Sequence, residues 1–144
     1  MEHNLISLSI LTPEKEFMMG EAVEIIFGTP EGRLGIMAGH APIIASVSEG
    51  IMEIFTGEKW RIAAVGQGFA EIAYEKAEFY LDTAEWADEI DSFRAKEALY
   101  RAERRIQSNL TKLEYLRTQA AINRALARLK AAGSLPAGHA NKRS

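Results

Sequence analysis

The chain has 144 residues, 47% hydrophobic and 26% charged, a composition that fits one folded domain with an appendage and excludes wholesale disorder. It has no cysteine and only three histidines, His3, His40 and His139, which excludes disulfides, thiolate metal sites and cysteine nucleophiles and disfavours a histidine-rich metal centre. The net charge of -3 conceals an asymmetry: residues 1–84 carry 5 Lys+Arg against 13 Asp+Glu, whereas from Ser92 onward the count is 12 against 3, a polarity that predicts two parts with different partners.

The first half reads as β. Leu5 to Ile10 has partial period-2 character, and Val23 to Thr29 is a β-branched run closed by Pro30. Ile51 to Thr56, Gly57-Glu58, then Lys59 to Val65 reads as a hairpin. Phe69 to Tyr74 and Glu78 to Asp82 form another pair, turning near Glu75-Lys76. Nine of the 11 glycines lie before residue 69. Dense glycine among short strands predicts tight turns, hence a β-sandwich or barrel rather than a βαβ sheet.

The second half switches to helix. Glu85 to Ala132 holds neither Gly nor Pro and is dominated by Ala, Leu, Arg, Glu and Lys, all strong helix formers. Asp88-Glu89-Ile90-Asp91 offers a capping carboxylate for a helix over about 90–107, and Thr111-Lys112-Leu113-Glu114 fits a capping box for a second over about 112–132. Ser108-Asn109-Leu110 supplies the turn, and Gly133 and Pro136 a stop. The helices are expected to lie antiparallel with small residues facing: Ala95, Ala98 and Ala102 on one, Ala120, Ala121 and Ala125 on the other. Such residues bury little surface, so this hairpin should open without disrupting the rest. The Gly/Pro/Ala/Asn-rich tail over 134–144 is expected to be disordered. The organisation is thus α+β: an all-β domain over 1–84, a helical hairpin over 85–133, and a tail.

Catalytic signatures are absent. The chain has no P-loop, and Gly66-Gln67-Gly68 is too short for a dinucleotide fingerprint and opens no helix. His40, in Ala38-Gly39-His40-Ala41-Pro42, has no acid or nucleophile beside it and reads as a turn histidine rather than a catalytic base. No apolar run approaches the ~20 residues a membrane span needs, and the N-terminus does not read as a signal peptide.

What the second half does carry is arginine. Arg94, Arg101 and Arg105 stand at i, i+7 and i+11, and Arg117, Arg124 and Arg128 repeat that spacing. At 100° per residue each triplet falls within an arc of about 40°. Each helix therefore presents a guanidinium stripe suited to carboxylates or phosphates. An acidic protein partner is one reading of this surface; a nucleic-acid-binding module is the other, although aromatic stacking residues are sparse there (Phe93, Tyr100, Tyr115).

Several segments resemble one family. Glu31-Gly32-Arg33-Leu34-Gly35-Ile36 followed by Gly39-His40-Ala41-Pro42 resembles the E-G-x-x-G-I-x-x-G-H-A-P signature of the epsilon subunit of F-type ATP synthase. Gly66 to Ile72 resembles its later G-G-F-x-E-V segment, Thr83-Ala84-Glu85 its T-A-E junction, and Ile90-Asp91-Ser92-Phe93-Arg94-Ala95 its I/L-D-x-x-R-A motif. The resemblance implies a sandwich of about ten short strands followed by an antiparallel helical hairpin, in a non-catalytic subunit that requires no cofactor. It implies docking on the gamma subunit and the c-subunit ring through an exposed loop at Glu31, Gly32, Arg33, Leu34 and Gly35, with His40. It implies that the hairpin inhibits ATP hydrolysis at the alpha/beta hexamer through Arg101, Arg105, Arg117, Arg124 and Arg128. It also implies ATP as a regulatory ligand, held by Glu85, Ile90, Asp91, Arg94, Ala95, Arg101, Arg124 and Arg128. The expected location is peripheral, on the cytoplasmic side of a bacterial plasma membrane or the stromal side of a thylakoid, with no nucleic acid involved.

Overall fold

The computed structural model describes residues 4–133; the tail expected over 134–144 lies outside them. Ten strands come first: β1 (Ile6–Leu11), β2 (Glu16–Ala22), β3 (Glu24–Thr29), β4 (Gly32–Met37), β5 (Ile43–Val47), β6 (Gly50–Phe55), β7 (Trp60–Val65), β8 (Gly68–Ile72), β9 (Lys76–Leu81) and β10 (Ala84–Trp86). A short 3-10 turn, Ala87–Glu89, leads to helices α1 (Ser92–Ile106) and α2 (Lys112–Gly133). The strands form two five-stranded sheets, β2-β1-β9-β8-β5 and β10-β7-β6-β3-β4. The β1–β9 pair is parallel. The fold is therefore the expected sandwich and hairpin, and β10 carries the second sheet through Trp86, past residue 84.

Alternation explains the core. Ile6, Leu8 and Ile10 of β1 point inward and are fully buried, as are Ile25 and Phe27 of β3, Met52 and Ile54 of β6, and Phe79 of β9. Phe27 and Phe79 meet edge to face across the two sheets, with ring centroids 5.0 Å apart, a geometry that suits the aromatic quadrupoles. β7 has no exposed face because each side has its own cover. Ala63 and Val65 belong to the core, whereas Ile62 and Ala64 pack with Ala131 of α2 and with Ile90. One side of the sandwich is closed by Phe17 of β2 stacked on Trp86 of β10 (4.4 Å), with the Arg61 guanidinium 3.5 Å above the Trp86 ring.

The expected loop at Glu31 to Gly35 is instead mostly strand. Only Pro30 and Glu31 form the turn, fixed by Thr29 Oγ1, which donates to the Gly32 carbonyl (2.8 Å) and accepts from Glu31 N–H (3.2 Å). Gly32 takes the positive φ of 132° that a side chain would strain, and β4 then pairs with β3 along its length.

Both helices carry capping residues that the sequence offers. Asp91 caps α1, its Oδ1 accepting from Phe93 N–H (3.1 Å) and Arg94 N–H (3.2 Å). Ile90, placed inside the helix by the sequence reading, precedes that cap in extended backbone. Thr111 and Glu114 complete the reciprocal capping box of α2, each bond 3.2 Å. α2 packs on β6 and β7, and α1 packs on α2. The seams are made largely of small residues: Ala95, Ala102, Ala125 and Ala131 are buried, with Thr118 and Ile122. Asp91→Ala should lower stability by about 1 kcal/mol through loss of the cap, and Asp91→Asn should keep most of it. Hydrogen exchange at the first turn of α1 distinguishes the two variants.

Candidate functional site

Antiparallel packing turns the two arginine stripes into one trench. At its outer part Arg101 and Arg105 of α1 face Arg117 and Glu114 of α2 around a groove of about 780 Å³. Ala98 and Ala121 continue it into a second cleft, of about 410 Å³, between the hairpin and the sandwich, where Arg124 and Arg128 meet Glu85, Asp82, Lys15 and Thr83. The alanines matter because they leave the volume that larger side chains would fill.

Two of these five arginines are engaged. Arg128 Nε and Nη2 donate to Glu85 Oε2 and Oε1 at 2.9 and 3.3 Å, a two-pronged pair joining α2 to β10. Arg105 Nη2 donates to Glu114 Oε2 at 3.3 Å across the helix turn. Glu114 is held below the usual carboxylate range, chiefly by the hydroxyl and amide of Thr111 that donate to it. Arg101, Arg117 and Arg124 make no hydrogen bond or ion pair among the described residues. The outer groove sets Arg101, Arg105 and Arg117 against Glu114 alone, an arrangement able to take an anion, whereas the inner cleft balances Lys15, Arg124 and Arg128 against Glu14, Asp82 and Glu85.

The other residues expected at this site do not converge there. Asp91 spends Oδ1 on the cap, and its Oδ2 lies 3.6 Å from Arg94 Nε in an exposed local pair. Neither lines the trench. Ala95 is fully buried at the helix seam, and Ile90 packs against Ile62, Ala64 and Ala131. Glu85, Arg101, Arg124 and Arg128 do line it.

The expected docking segment does not form one patch. Glu31 sits at the tip before β4 and His40 beyond the other end of the strand, about 20 Å along it. Leu34 is half-buried against the core. The Arg33 guanidinium crosses β3 over Gly28, donating to the Ile51 carbonyl (2.6 Å) and to Glu53 Oε1 (3.0 Å), so Glu53 neutralises its charge. His40 is a turn histidine: its Nδ1 lies 2.7 Å from the Ala41 carbonyl.

Sequence reasoning missed Glu49 and Asp82. They stand on the β5–β6 and β9–β10 turns and share a cleft with Gln67 and with Asn123 of α2. Glu49 Oε2 is withdrawn from water and has no hydrogen-bond partner among the described residues. Burial pushes this carboxyl above the usual range, the Arg124 charge opposes that shift, and Asp82 adds to it.

Comparison with known proteins gives a single picture. The family model described as "ATP synthase, Delta/Epsilon chain, beta-sandwich domain" matches residues 5–87, and its "long alpha-helix domain" counterpart matches residues 88–133. The ATP synthase epsilon chain of Ruminiclostridium cellulolyticum is 46% identical over 124 residues, 86% of this chain and 92% of that one. That of Caldicellulosiruptor bescii is 42% identical over 125 residues, 87% and 91% of the two chains. Among solved structures, a chain of the Euglena gracilis mitochondrial ATP synthase, OSCP/F1/c-ring, superposes with a TM-score of 0.73 at 23% identity, covering 83% of this chain and 76% of that one, which speaks for the fold.

Proposed function

The chain belongs to the delta/epsilon chain family of ATP synthase, as an epsilon chain and thus a non-catalytic subunit of that multisubunit enzyme, and from that premise we propose that it is a central-stalk subunit whose hairpin brakes ATP hydrolysis. On this reading the sandwich grips the gamma subunit and the c-subunit ring through the Glu31 tip and the His40 connection. It turns with them and couples proton flow to ATP synthesis. The hairpin swings from the sandwich to the acidic face of the alpha/beta hexamer, engaging it through Arg101, Arg105, Arg117, Arg124 and Arg128. ATP in the trench favours the folded arm. The subunit is peripheral, on the cytoplasmic side of a bacterial plasma membrane, in line with the bacterial relatives; no described helix is long and apolar enough to cross a membrane.

The observation that carries this reading is the arginine trench on an arm docked through a small cluster of alanines and isoleucines apart from the main core. Unpaired guanidinium groups have more to gain from an anion than paired ones do. The interface with β7 is a cluster of Ile62, Ala64 and Ala131 with Ile51, Ala87 and Ile90 around them, separate from the main core, so on this reading the arm can leave without opening the sandwich. The reading is tested by the ATPase rate of a reconstituted catalytic core with the full chain and with a chain ending at Glu89. That end point keeps β10 and Trp86, which an end at Ala84 would remove. The full chain should slow hydrolysis severalfold, and equal rates would remove the brake role.

A further inference from the structure

Glu49 presents an unusual combination. It sits on a turn, yet its Oε2 has lost its water without gaining a hydrogen bond. The carboxylate of Asp82, on a neighbouring turn, shares its cleft, and Asn123 of α2 lines the same cleft. The charged groups that face it are few. Arg124 of α2 acts on it attractively and Asp82 repulsively. Glu14 and Lys15 of the β1–β2 turn lie beyond Asp82, in the adjoining cleft.

We propose that Glu49 and Asp82 form a proton-sensitive brace for the hairpin: uptake of one solvent proton by Glu49 tightens α2 on the sandwich, and its loss loosens the arm. The proposal deepens the reading of the hairpin as a mobile arm and rests on it.

An ionised carboxylate with one oxygen out of water and without a donor disfavours the state that buries it. Docking of α2 over Glu49 therefore competes with its hydration, and the neighbouring Asp82 charge adds to the cost. A proton on Oε2 lessens the first penalty, since a neutral carboxyl is cheaper to bury than a carboxylate, and removes the second. The sign follows from linkage. Glu49 holds its proton more tightly in the docked state than as a free carboxyl, where the value is about 4.3. Its contribution to docking is fully present below that free value and is lost as pH rises through the higher docked-state value. Arg124 limits the effect, since its charge favours the ionised form. Removing Arg124 should therefore move the transition to higher pH, and removing Asp82 should move it lower.

The test uses the full chain. Because the chain has no cysteine, Glu58→Cys and Gln107→Cys place a dye pair on the β6–β7 turn and at the end of α1. Energy transfer then follows closure of the arm from about pH 4 to pH 8, while carbon NMR follows the Glu49 carboxyl directly. Closure should increase as pH falls, with the same midpoint as the Glu49 signal. Glu49→Gln should raise the docked-to-open ratio at neutral pH about threefold and flatten the profile, and Arg124→Gln should shift the midpoint upward. If Glu49 titrates at or below the ordinary carboxylate value, or if Glu49→Gln leaves the closure profile unchanged, the brace is overturned while the mobile arm stands. If transfer is constant at every pH and in every variant, the mobile arm fails, and the brace with it.

Discussion

Gly68→Ala is expected to cost the fold about 3 kcal/mol or more, the upper end of what overpacking does. A Cβ at Gly68 would lie inside the contact distance of the Tyr80 carbonyl oxygen and 2.9 Å from Leu81 Cα. These atoms cannot yield. Gly68 pairs with Leu81 in the β8–β9 ladder, and β9 is held on its other side by β1. Gly66 meets the same crossing from the other side of Gln67: a Cβ there would stand 2.6 Å from Thr83 Oγ1. The Gly66-Gln67-Gly68 segment is thus shaped by the close passage of the β9–β10 turn, and no ligand is needed to explain it. Gly20→Ala is the control, because its nearest neighbour would be Met18 Cε at 3.9 Å, and it should change stability by less than about 0.5 kcal/mol. Urea unfolding read as a midpoint shift at unchanged slope measures both. A Gly68→Ala loss under about 1 kcal/mol would show that β9 gives way more easily than its pairing allows.

Legibility in the sequence followed locality. α1 and α2 were readable because capping and 3.6-residue spacing are short-range properties: Asp91, Thr111 and Glu114 act within three residues of themselves. The arginine trench was half readable. The stripes could be counted, but the antiparallel packing that places Arg101 near one end and Arg128 at the other belongs to the tertiary fold. The strands lost to pattern reading were β2, β4, β5 and β10. β2 is an edge strand with most of its residues exposed, β5 is an edge strand too, β4 contains Gly32, Arg33 and Gly35, and β10 is only three residues long. Each lacks the apolar alternation that only a half-buried strand must have. The family resemblance supplied the strand number that periodicity could not. Glu49 and Asp82 had no signal at all, since their meeting depends on turns 33 residues apart in the chain. The Arg33–Glu53 pair was equally invisible, because it spans an intervening strand.

The docked hairpin is held by two different kinds of contact. Small apolar residues supply the seam, and the Glu85–Arg128 pair supplies a charged link between β10 and α2. Both side chains of that pair remain about a third exposed, at 35% and 30%, so water screens it and its net worth is about 1 kcal/mol or less. Its larger consequence concerns binding. Arg128 is already occupied by a carboxylate, whereas Arg124 is unpaired. An anionic ligand entering the trench meets Arg124 without breaking an ion pair, diverting only its attraction for Glu49, and must compete with Glu85 for Arg128.

Isothermal titration of ATP into the full chain is therefore expected to give a graded series of affinities. Arg124→Ala should weaken binding about tenfold or more, the 1.5–3 kcal/mol of a hydrogen bond to a charged group. Arg128→Ala should weaken it less, because the wild type must first release Glu85. Glu85→Gln has the opposite sign under this geometry: it frees Arg128 and removes a negative charge from the cleft, so affinity should rise by about threefold. If Glu85 instead contacts the nucleotide, as the family resemblance implies, the same substitution lowers affinity, and the two roles separate on the sign alone. Arg94→Ala should have the smallest effect, since Arg94 is paired locally with Asp91 and lies outside both clefts. A loss of binding on Arg94→Ala as large as that on Arg124→Ala would mean that the ligand bridges from the trench to the α1 cap. No heat with any of the proteins would leave the trench as a surface for acidic side chains alone.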